Sequence, residues 1–411
     1  ATNQSLSTGI VIVKGGAIVA QAPDMVFLED TNGDDKMDKS TVLFGGFGTY
    51  DTHAGPSNLH YGPDNHIWGA VGYSGFKNSF NGEEVNFTMG VYRFTKDGKN
   101  FEPVGRFNNN TWGLGIREDF EIFGSTANNN HCCYVGIPLR HYDYLDKRPI
   151  WAINSDFIQG HYEITAVTEK PLQQVDVRGG YTAAAGANLY TARNFPKKYW
   201  GQMLLNEPTG HLVHMANIVD KGAGYVEVDG GNLFASSDEW TAPVFAETGP
   251  DGNVWVADWY NPVIQHNPDK RGMENQIWNA DKGEGNAHIN PRRDIKHGRI
   301  YIVRPKKRNS ESLSSLSIED PKQLIKGLKS DNLFWRTTAQ RLIVENNLEN
   351  LIPEIKNLIS EEEIDGEGFN GAAMHALYTL QGLNSVDDES LAKALKNESV
   401  AVQRAAINVL P

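Results

Sequence analysis

Two hydrophobic periods divide the chain. Up to about residue 305, apolar and polar positions alternate in short runs, as in "YGPDNHIWGAVGY" (61–73), "IREDFEIFGSTAN" (116–128) and "TGPDGNVWVADWY" (248–260). Alternation over a few residues turns one face of an extended chain toward a core, so each run predicts a strand. The three runs share a layout: a turn carrying acidic residues, then aromatic and β-branched residues in alternation. Such self-similarity is the mark of a repeat architecture.

A second feature recurs before these or related strands. Segments rich in small residues stand at "LSTGIVIV" (6–13), "HAGPSNLHY" (53–61), "NTWGLGI" (110–116), "TAAAGANLY" (182–190) and "WTAPVFAE" (240–247). Five entries imply five sheets. In a radial array of four-stranded sheets the innermost strands crowd a central axis, where small side chains allow close approach; a β-sandwich would not need the repeated entries. The expected fold class over 1–305 is therefore a β-propeller of the six-bladed type with about five blades visible. They are placed at roughly 9–47, 53–107, 110–178, 182–236 and 240–304, the sixth being completed by chain upstream or by the N-terminal residues. Long insertions at 74–89 and 139–180 read as loops on that scaffold.

After "GRIYIVRP" (298–305) a polar, Ser-rich stretch over 306–320 has the composition of a linker. From 321 the period becomes 3.6. "PKQLIKGLKSDNLFWRTTAQRLIVENN" (321–347) and "ESLAKALKNESVAVQRAAINVLP" (389–411) share an L-x-K-x-L-K start, and Leu324 and Leu391 stand 67 residues apart, two helical-repeat periods. "LENLIPEIKNLIS" (348–360) and "GAAMHALYTLQGL" (371–383) add amphipathic helices between them. The expectation for 321–411 is an all-α HEAT/armadillo-like solenoid. Because the chain opens on Ala1 and stops inside an amphipathic pattern, more chain is expected at one or both ends.

Composition narrows the function classes. With 38 basic and 51 acidic residues the net charge is −13, so the long-range field repels nucleic acid and anionic membrane surfaces. No apolar run reaches the roughly 18 residues of a membrane span. The 41 glycines, 9 tryptophans and 15 tyrosines suit short strands and tight turns. Cys132 and Cys133 are adjacent, which rules out a CxxC metal knuckle here and leaves two free thiols or a strained vicinal disulfide.

Candidate chemistry centres on His53, in the connection leading to an innermost strand. Such connections surround the mouth of a propeller's channel. A histidine there can accept a substrate proton near neutral pH, or it can cap a turn. His60 and His66 read as surface or packing residues. "DTNGDDKMD" (30–38) spaces Asp30, Asn32, Asp34 and Asp38 as calcium-type oxygen ligands, or else forms a solvated turn. "SSDEW" (236–240) and "ADWYN" (257–261) set Asp238, Glu239, Asp258, Trp259 and Tyr260 where they contact a carbohydrate or cap the blades.

"HAGPSNLHYGPDNHIWGAVGY" resembles the H-x-G-x-x-L-x-F-G-P-D-G-x-L-Y-x-x-x-G motif of the soluble PQQ-dependent sugar dehydrogenases. That resemblance implies His53 as the base that deprotonates the sugar. Those enzymes usually carry Asp just before the histidine; here Thr52 stands there and Asp51 lies one further back. Over almost its whole length the chain is similar to a family of large bacterial membrane-bound dehydrogenases, built as a quinoprotein-like propeller, HEAT repeats and a c-type cytochrome domain. The segments that carry this are "VAQAPDMVFLEDTNGDDKMD", "DTHAGPSNL", "YTARNFPKKYW", "EPTGHLV", "SSDEW", "GPDGNVWVADWYN", "HGRIYIV" and "FWRTTAQRL".

The resemblance implies an extracytoplasmic dehydrogenase of a sugar or polyol, with PQQ as cofactor and calcium bound. The carboxylates of PQQ require cations, for which "NPRRDIKHGR" (290–299) offers Arg293 and Arg299, with Asn58 as a further cofactor contact; the same arginines also suit ordinary salt bridges. Electrons would pass to a cytochrome partner, and with no C-x-x-C-H here any haem c belongs to chain outside this one. Two other classes fit the same residues: a non-catalytic glycan- or protein-binding propeller with the helices as docking scaffold, and a sugar lyase or hydrolase.

Overall fold

The computed structural model describes residues 6–51, 53–128, 130–142, 155–157, 181–262, 264, 296–307, 315–361 and 363–410. Five small antiparallel sheets follow one another. Sheet 1 holds β1 (Gly9–Val13), β2 (Gly16–Gln21), β3 (Asp24–Glu29) and β4 (Lys39–Gly45). Sheet 2 holds β5 (Pro56–Tyr61), β6 (Ile67–Val71), β9 (Gly90–Phe94) and β10 (Phe101–Arg106), with the hairpin β7 (Phe76–Phe80) and β8 (Glu83–Phe87) inserted. Sheet 3 is β11 (Thr111–Ile116), β12 (Ile122–Thr126), β13 (Cys133–Val135) and β14 (Ser155–Phe157). Sheet 4 is β15 (Ala185–Leu189), β16 (Met203–Glu207), β17 (Leu212–Lys221) and β18 (Gly224–Ala235), and sheet 5 is β19 (Pro243–Thr248), β20 (Val254–Asp258) and β21 (Arg299–Val303). First strands adjoin in succession, β1 on β5, β5 on β11, β11 on β15 and β15 on β19. This series of small sheets fits a propeller.

The small-residue entries have a steric cause. A Cβ on Gly113 would stand 2.5 Å from the backbone nitrogen of Ala187, and one on Gly186, whose φ is +51°, 2.4 Å from the carbonyl of Val244. Neighbouring first strands are too close for larger side chains. Four of the five first strands, β5, β11, β15 and β19, also break register once with a bulge.

The repeated turn has one geometry in three places. Gly62, Arg117 and Gly249 donate backbone N–H groups to the carbonyls of His66, Glu121 and Asn253, at 2.8, 2.9 and 2.8 Å. The fourth residue of each, Asn65, Phe120 and Gly252, takes positive φ of 61°, 65° and 71°. The aspartate before it accepts from the N–H two residues on, Asp64 from His66, Asp119 from Glu121 and Asp251 from Asn253. Asp64 and Asp251 also accept from the indoles of Trp68 and Trp255, at 2.9 and 3.0 Å. The acidic residues of these turns are thus structural acceptors.

The insertion at 74–89, expected as a loop, is the hairpin β7–β8. Phe76 stacks on Phe101 with ring centroids 4.1 Å apart, and Phe76 and Phe87 are buried with Phe44, Phe47 and Tyr92 in the core between sheets 1 and 2. Apolar residues in alternation made a strand pair where only the insertion's length had been weighed. Cys132 and Cys133 are free and fully buried, and they enter different cores, Cys132 beside Met203 and Cys133 beside Val104 and Val135. Side chains committed to opposite faces do not form a vicinal disulfide, and burial pushes both thiols up.

Among the described residues six α-helices follow: α1 (Pro321–Leu328), α2 (Leu333–Glu345), α3 (Ile352–Ile359), α4 (Gly371–Gly382), α5 (Asp388–Ala394) and α6 (Val400–Asn408). Asp320, Asn332, Asn370 and Asp387 cap four of them through side-chain acceptors. They share a core around Leu324, Ile343, Ile355, Leu377 and Val402. Among the described residues no helix is long and apolar enough to cross a membrane. The helices dock on the repeated turns themselves. Gln340 donates to the carbonyl of Pro63 at 2.6 Å, Trp335 to that of Pro250 at 2.8 Å and Arg404 to that of Asp119 at 2.7 Å.

Candidate functional site

The first strands enclose a cavity of ≈ 1860 Å³. Helix α2 walls one end through Leu333, Phe334, Thr337, Thr338 and Arg341. The repeated turns lie at that end, so the connections entering the first strands lie at the other. There His53 lines the cavity with Asp51, Asn109, Asn110, Asn128 and Thr182, and with the aromatic rings of Tyr73, Trp112 and Trp259.

His53 is half-buried and held by its main chain. Its N–H donates to Asp51 Oδ1 at 2.8 Å, and its carbonyl accepts from Asn110 Nδ2 at 2.9 Å. The imidazole meets the Trp112 ring edge-on, with centroids 6.0 Å apart. Asn109 donates to Asn128 at 2.5 Å, joining two asparagine-rich connections. The hydroxyl of Tyr50 donates to the carbonyl of Tyr73 at 2.7 Å, and the two rings stack with 73% and 39% of their surface exposed. Amides, a hydroxyl and aromatic faces make a surface suited to neutral polar ligands with apolar patches.

Asn58 sits at the bulge of β5 with φ +53°, donates to the carbonyl of Trp112 at 3.0 Å and lines the same cavity. His60 also lines it: its Nε2 lies 3.1 Å from the carbonyl of Leu114, and its ring stacks on Phe245 at 6.3 Å. Burial lowers its pKa to about 4, so the ring is neutral and serves packing.

Glu247, which sequence reasoning missed, lines the cavity from β19. The side chain is open to the cavity yet walled by protein around it, and desolvation raises its pKa to about 7. A carboxyl whose folded pKa lies above its unfolded value contributes stability that is lost as pH rises through the folded pKa, here between about 4.5 and 7. Glu247→Gln is therefore expected to exceed the parent in stability at pH 8 and to match it at pH 4, as read by urea unfolding at both.

The remaining predicted residues lie in other places. Asp258 is buried, and its Oδ1 accepts from the N–H groups of Ala242 and Tyr260, both at 2.7 Å. Asp238 accepts from the Trp240 N–H at 3.0 Å and pairs with Arg299 at 3.1 Å. Arg299 stands 3.5 Å over the Tyr260 ring, away from the cavity lining. Glu239 is half-buried beside Asp238. Arg293 lies outside the described residues. Of the sugar-contact set, Trp259 alone among the described residues shares the cavity with His53 and Asn58.

The four calcium candidates do not converge. Asp30 accepts from the backbone N–H groups of Gly33 and Asp35 at 2.7 and 2.8 Å, Asn32 from Asp34, Asp34 from Lys36, and Asp38 from Thr31. Desolvation opposes it, yet the loop's N–H groups hold the Asp30 carboxyl below its usual range. Among the described residues no group of three His, Cys, Asp or Glu is placed to hold a metal. These oxygens are used inside the loop, as in other Asx turns. Asp30→Ala is expected to lower the melting temperature, with calcium neither raising the parent's nor restoring the variant's.

A cofactor bearing several carboxylates needs cations around it. Among the described residues lining the cavity, Arg341 is the one lysine or arginine, and it is paired with Glu345 at 3.2 Å. The buried side-chain atoms without a hydrogen-bond partner near His53, Asn58 Oδ1 and Asn110 Oδ1, are acceptors and repel carboxylates. The described residues therefore do not fit PQQ.

A family model described as a domain of unknown function, DUF7133, matches residues 1–307, and the chain belongs to that family. No curated protein matches it. Among solved structures it is similar to a glucose dehydrogenase at 11% identity, with 61% of this chain and 76% of that one covered and a TM-score of 0.39. It is also similar to the PQQ-bound aldose sugar dehydrogenase of Streptomyces coelicolor at 14% identity, covering 63% and 72% with a TM-score of 0.35. The virginiamycin B lyase of Staphylococcus aureus matches at 12% identity, covering 63% and 80% with a TM-score of 0.33. At these scores the likenesses carry no inference about this chain's chemistry.

Proposed function

We propose that the His53 end of the cavity binds a neutral polyhydroxylated ligand, a sugar or polyol, and that His53 accepts a proton from one of its hydroxyls. The observation that carries this is His53 lining one cavity with asparagines, Thr182, Tyr73, Trp112 and Trp259. The amides exchange hydrogen bonds with hydroxyls, and the rings cover a sugar's apolar face. Proton removal by His53 is one half of an alcohol oxidation. The other half, loss of hydride from the carbinol carbon, would need a two-electron acceptor of the quinone class held by groups beyond the described lining. With one, the site would be that of an extracytoplasmic sugar or polyol dehydrogenase whose electrons pass on to a haem carried elsewhere. The likeness of "HAGPSNLHYGPDNHIWGAVGY" to the sugar dehydrogenase motif supports the same reading. In it α1–α6 open a HEAT-type solenoid, to which a partner docks on the side away from the sheets.

A second reading is a carbohydrate-binding propeller without turnover, favoured by the single cationic side chain, Arg341, among the described residues that line the cavity. Ligand-observed NMR across neutral sugars and polyols, run beside dye reduction by the purified protein with and without PQQ, separates them. Binding with dye reduction supports the dehydrogenase, and binding alone supports the second reading. No binding by any sugar or polyol overturns both.

A further inference from the structure

Two tyrosine rings stand at the cavity mouth on an unusually firm base. Tyr50 lies in the connection from β4 to β5, and Tyr73 in the one from β6 to the inserted hairpin. These segments are zipped together. Lys77 donates its N–H to the carbonyl of Gly46 at 2.9 Å, Gly48 to that of Gly75 at 3.0 Å and Ser74 to that of Ala54 at 3.2 Å. The Ser74 hydroxyl adds a bond to the carbonyl of Asp51 at 2.9 Å, and Phe47 bridges Phe76. A Cβ on Gly48 would stand 2.0 Å from the carbonyl oxygen of Ser74, so glycine is what lets the two backbones close on each other.

On this base the rings of Tyr50 and Tyr73 lie 24° from parallel with centroids 6.3 Å apart, an offset stack. The Tyr50 hydroxyl is turned back onto the carbonyl of Tyr73, so solvent meets the ring face of a residue that is 73% exposed. A stack this exposed removes little apolar surface from water, and stability does not account for it. Its position does. Tyr73 lines the cavity with Asp51 and His53, whereas Tyr50 stands outside the lining. Tyr50 and His53 are three positions apart, so their Cα atoms are separated by at most about 11 Å. A turn closed by the Ala54 N–H on the Asp51 carbonyl at 3.2 Å draws them closer. Moving outward, a ligand meets His53, then Tyr73, then Tyr50, in steps of about one sugar ring.

We propose that Tyr73 and Tyr50 form an outer subsite, and that the ligand is a neutral glycan of at least two units, one beside His53 and the next stacked on the two rings. This rests on the reading of the His53 end as a sugar site. A rigid aromatic face contacts the C–H face of a sugar without losing side-chain freedom on binding. Asp51, Asn109 and Asn128, which line the same end, exchange hydrogen bonds with the hydroxyls around it. Asp51 and the net charge of −13 disfavour glycans that carry carboxylates or sulfates.

Calorimetric titration with glucose, mannose and galactose, set beside cellobiose, maltose, mannobiose and galactobiose, tests it. For the sugar that binds, the disaccharide is expected to bind about tenfold more tightly than its monomer. Tyr50→Ala should bring that ratio close to one, and Tyr50→Phe, which keeps the ring, should retain most of it. A disaccharide that binds the parent no better than its monomer overturns the outer subsite and leaves the His53 reading standing. So does a ratio that Tyr50→Ala leaves unchanged, or one that Tyr50→Phe abolishes as fully as Tyr50→Ala. If no monomer and no disaccharide binds the parent, the sugar reading and the subsite fall together.

Discussion

Arg336→Ala is expected to lower the unfolding free energy by about 3 kcal/mol, the lower end of what breaking a buried ion pair costs. Arg336 is 3% exposed on α2, and its Nη2 donates to Glu118 Oε1 at 2.5 Å while Nη1 donates to the carbonyl of Ser330 at 2.6 Å. Glu118 also accepts from Arg193 at 2.7 Å, and Arg193 donates to Asp365 at 2.5 Å. Two arginines and two carboxylates thus join the turn of sheet 3, the turn of sheet 4 and the helices. Without Arg336, Glu118 keeps one cation but loses its buried donor, which places the effect below that of a fully orphaned charge. Lys197→Ala is the control: its pair with Glu367 is 62% and 44% exposed, and removing it is expected to cost under about 1 kcal/mol. Equal shifts in urea midpoint for the two variants would show that the buried network contributes no more than a surface pair.

The same network shows where sequence reading stops. Arg336 and Glu118 are 218 positions apart, and nothing in "FWRTTAQRL" or "IREDFE" names the other as partner. The turn-plus-strand unit was legible because its constraints are local: an aspartate accepting two residues ahead, a residue at positive φ, a tryptophan four on. Small-residue entries were legible because a Cβ at Gly113 or Gly186 has nowhere to go. Periodicity says which face of a strand is apolar but not what covers it. The docking of the helices on the turns of their own chain was therefore not legible, and Glu247 was unremarkable until the strands placed it in a cavity wall. The use of the acidic residues was not legible in the same way. Asp30, Asp34 and Asp258 spend their oxygens on nearby backbone N–H groups, a use that composition does not separate from metal or sugar binding.

His53→Ala is expected to lower turnover on a sugar or polyol by about 10²–10⁴-fold, the usual worth of a positioned general base. Stability should move far less than turnover, because two of the bonds that fix this connection are made by the main chain. The His53 N–H on Asp51 and its carbonyl on Asn110 Nδ2 both survive the loss of the imidazole. Added imidazole, small enough to enter a cavity of ≈ 1860 Å³, should restore part of the rate in the variant and none in the parent. Tyr73→Ala provides the contrast: its ring lines the cavity and stacks on Tyr50, so its loss should raise KM with kcat nearly unchanged, the pattern of a group that binds ground and transition states alike. If His53→Ala instead changes affinity alone, with no dye reduction in parent or variant, the histidine is a ligand contact of a binding propeller. If neither turnover nor affinity moves, its imidazole has no part in the site, and the amide and aromatic wall around it must be assigned a ligand without it.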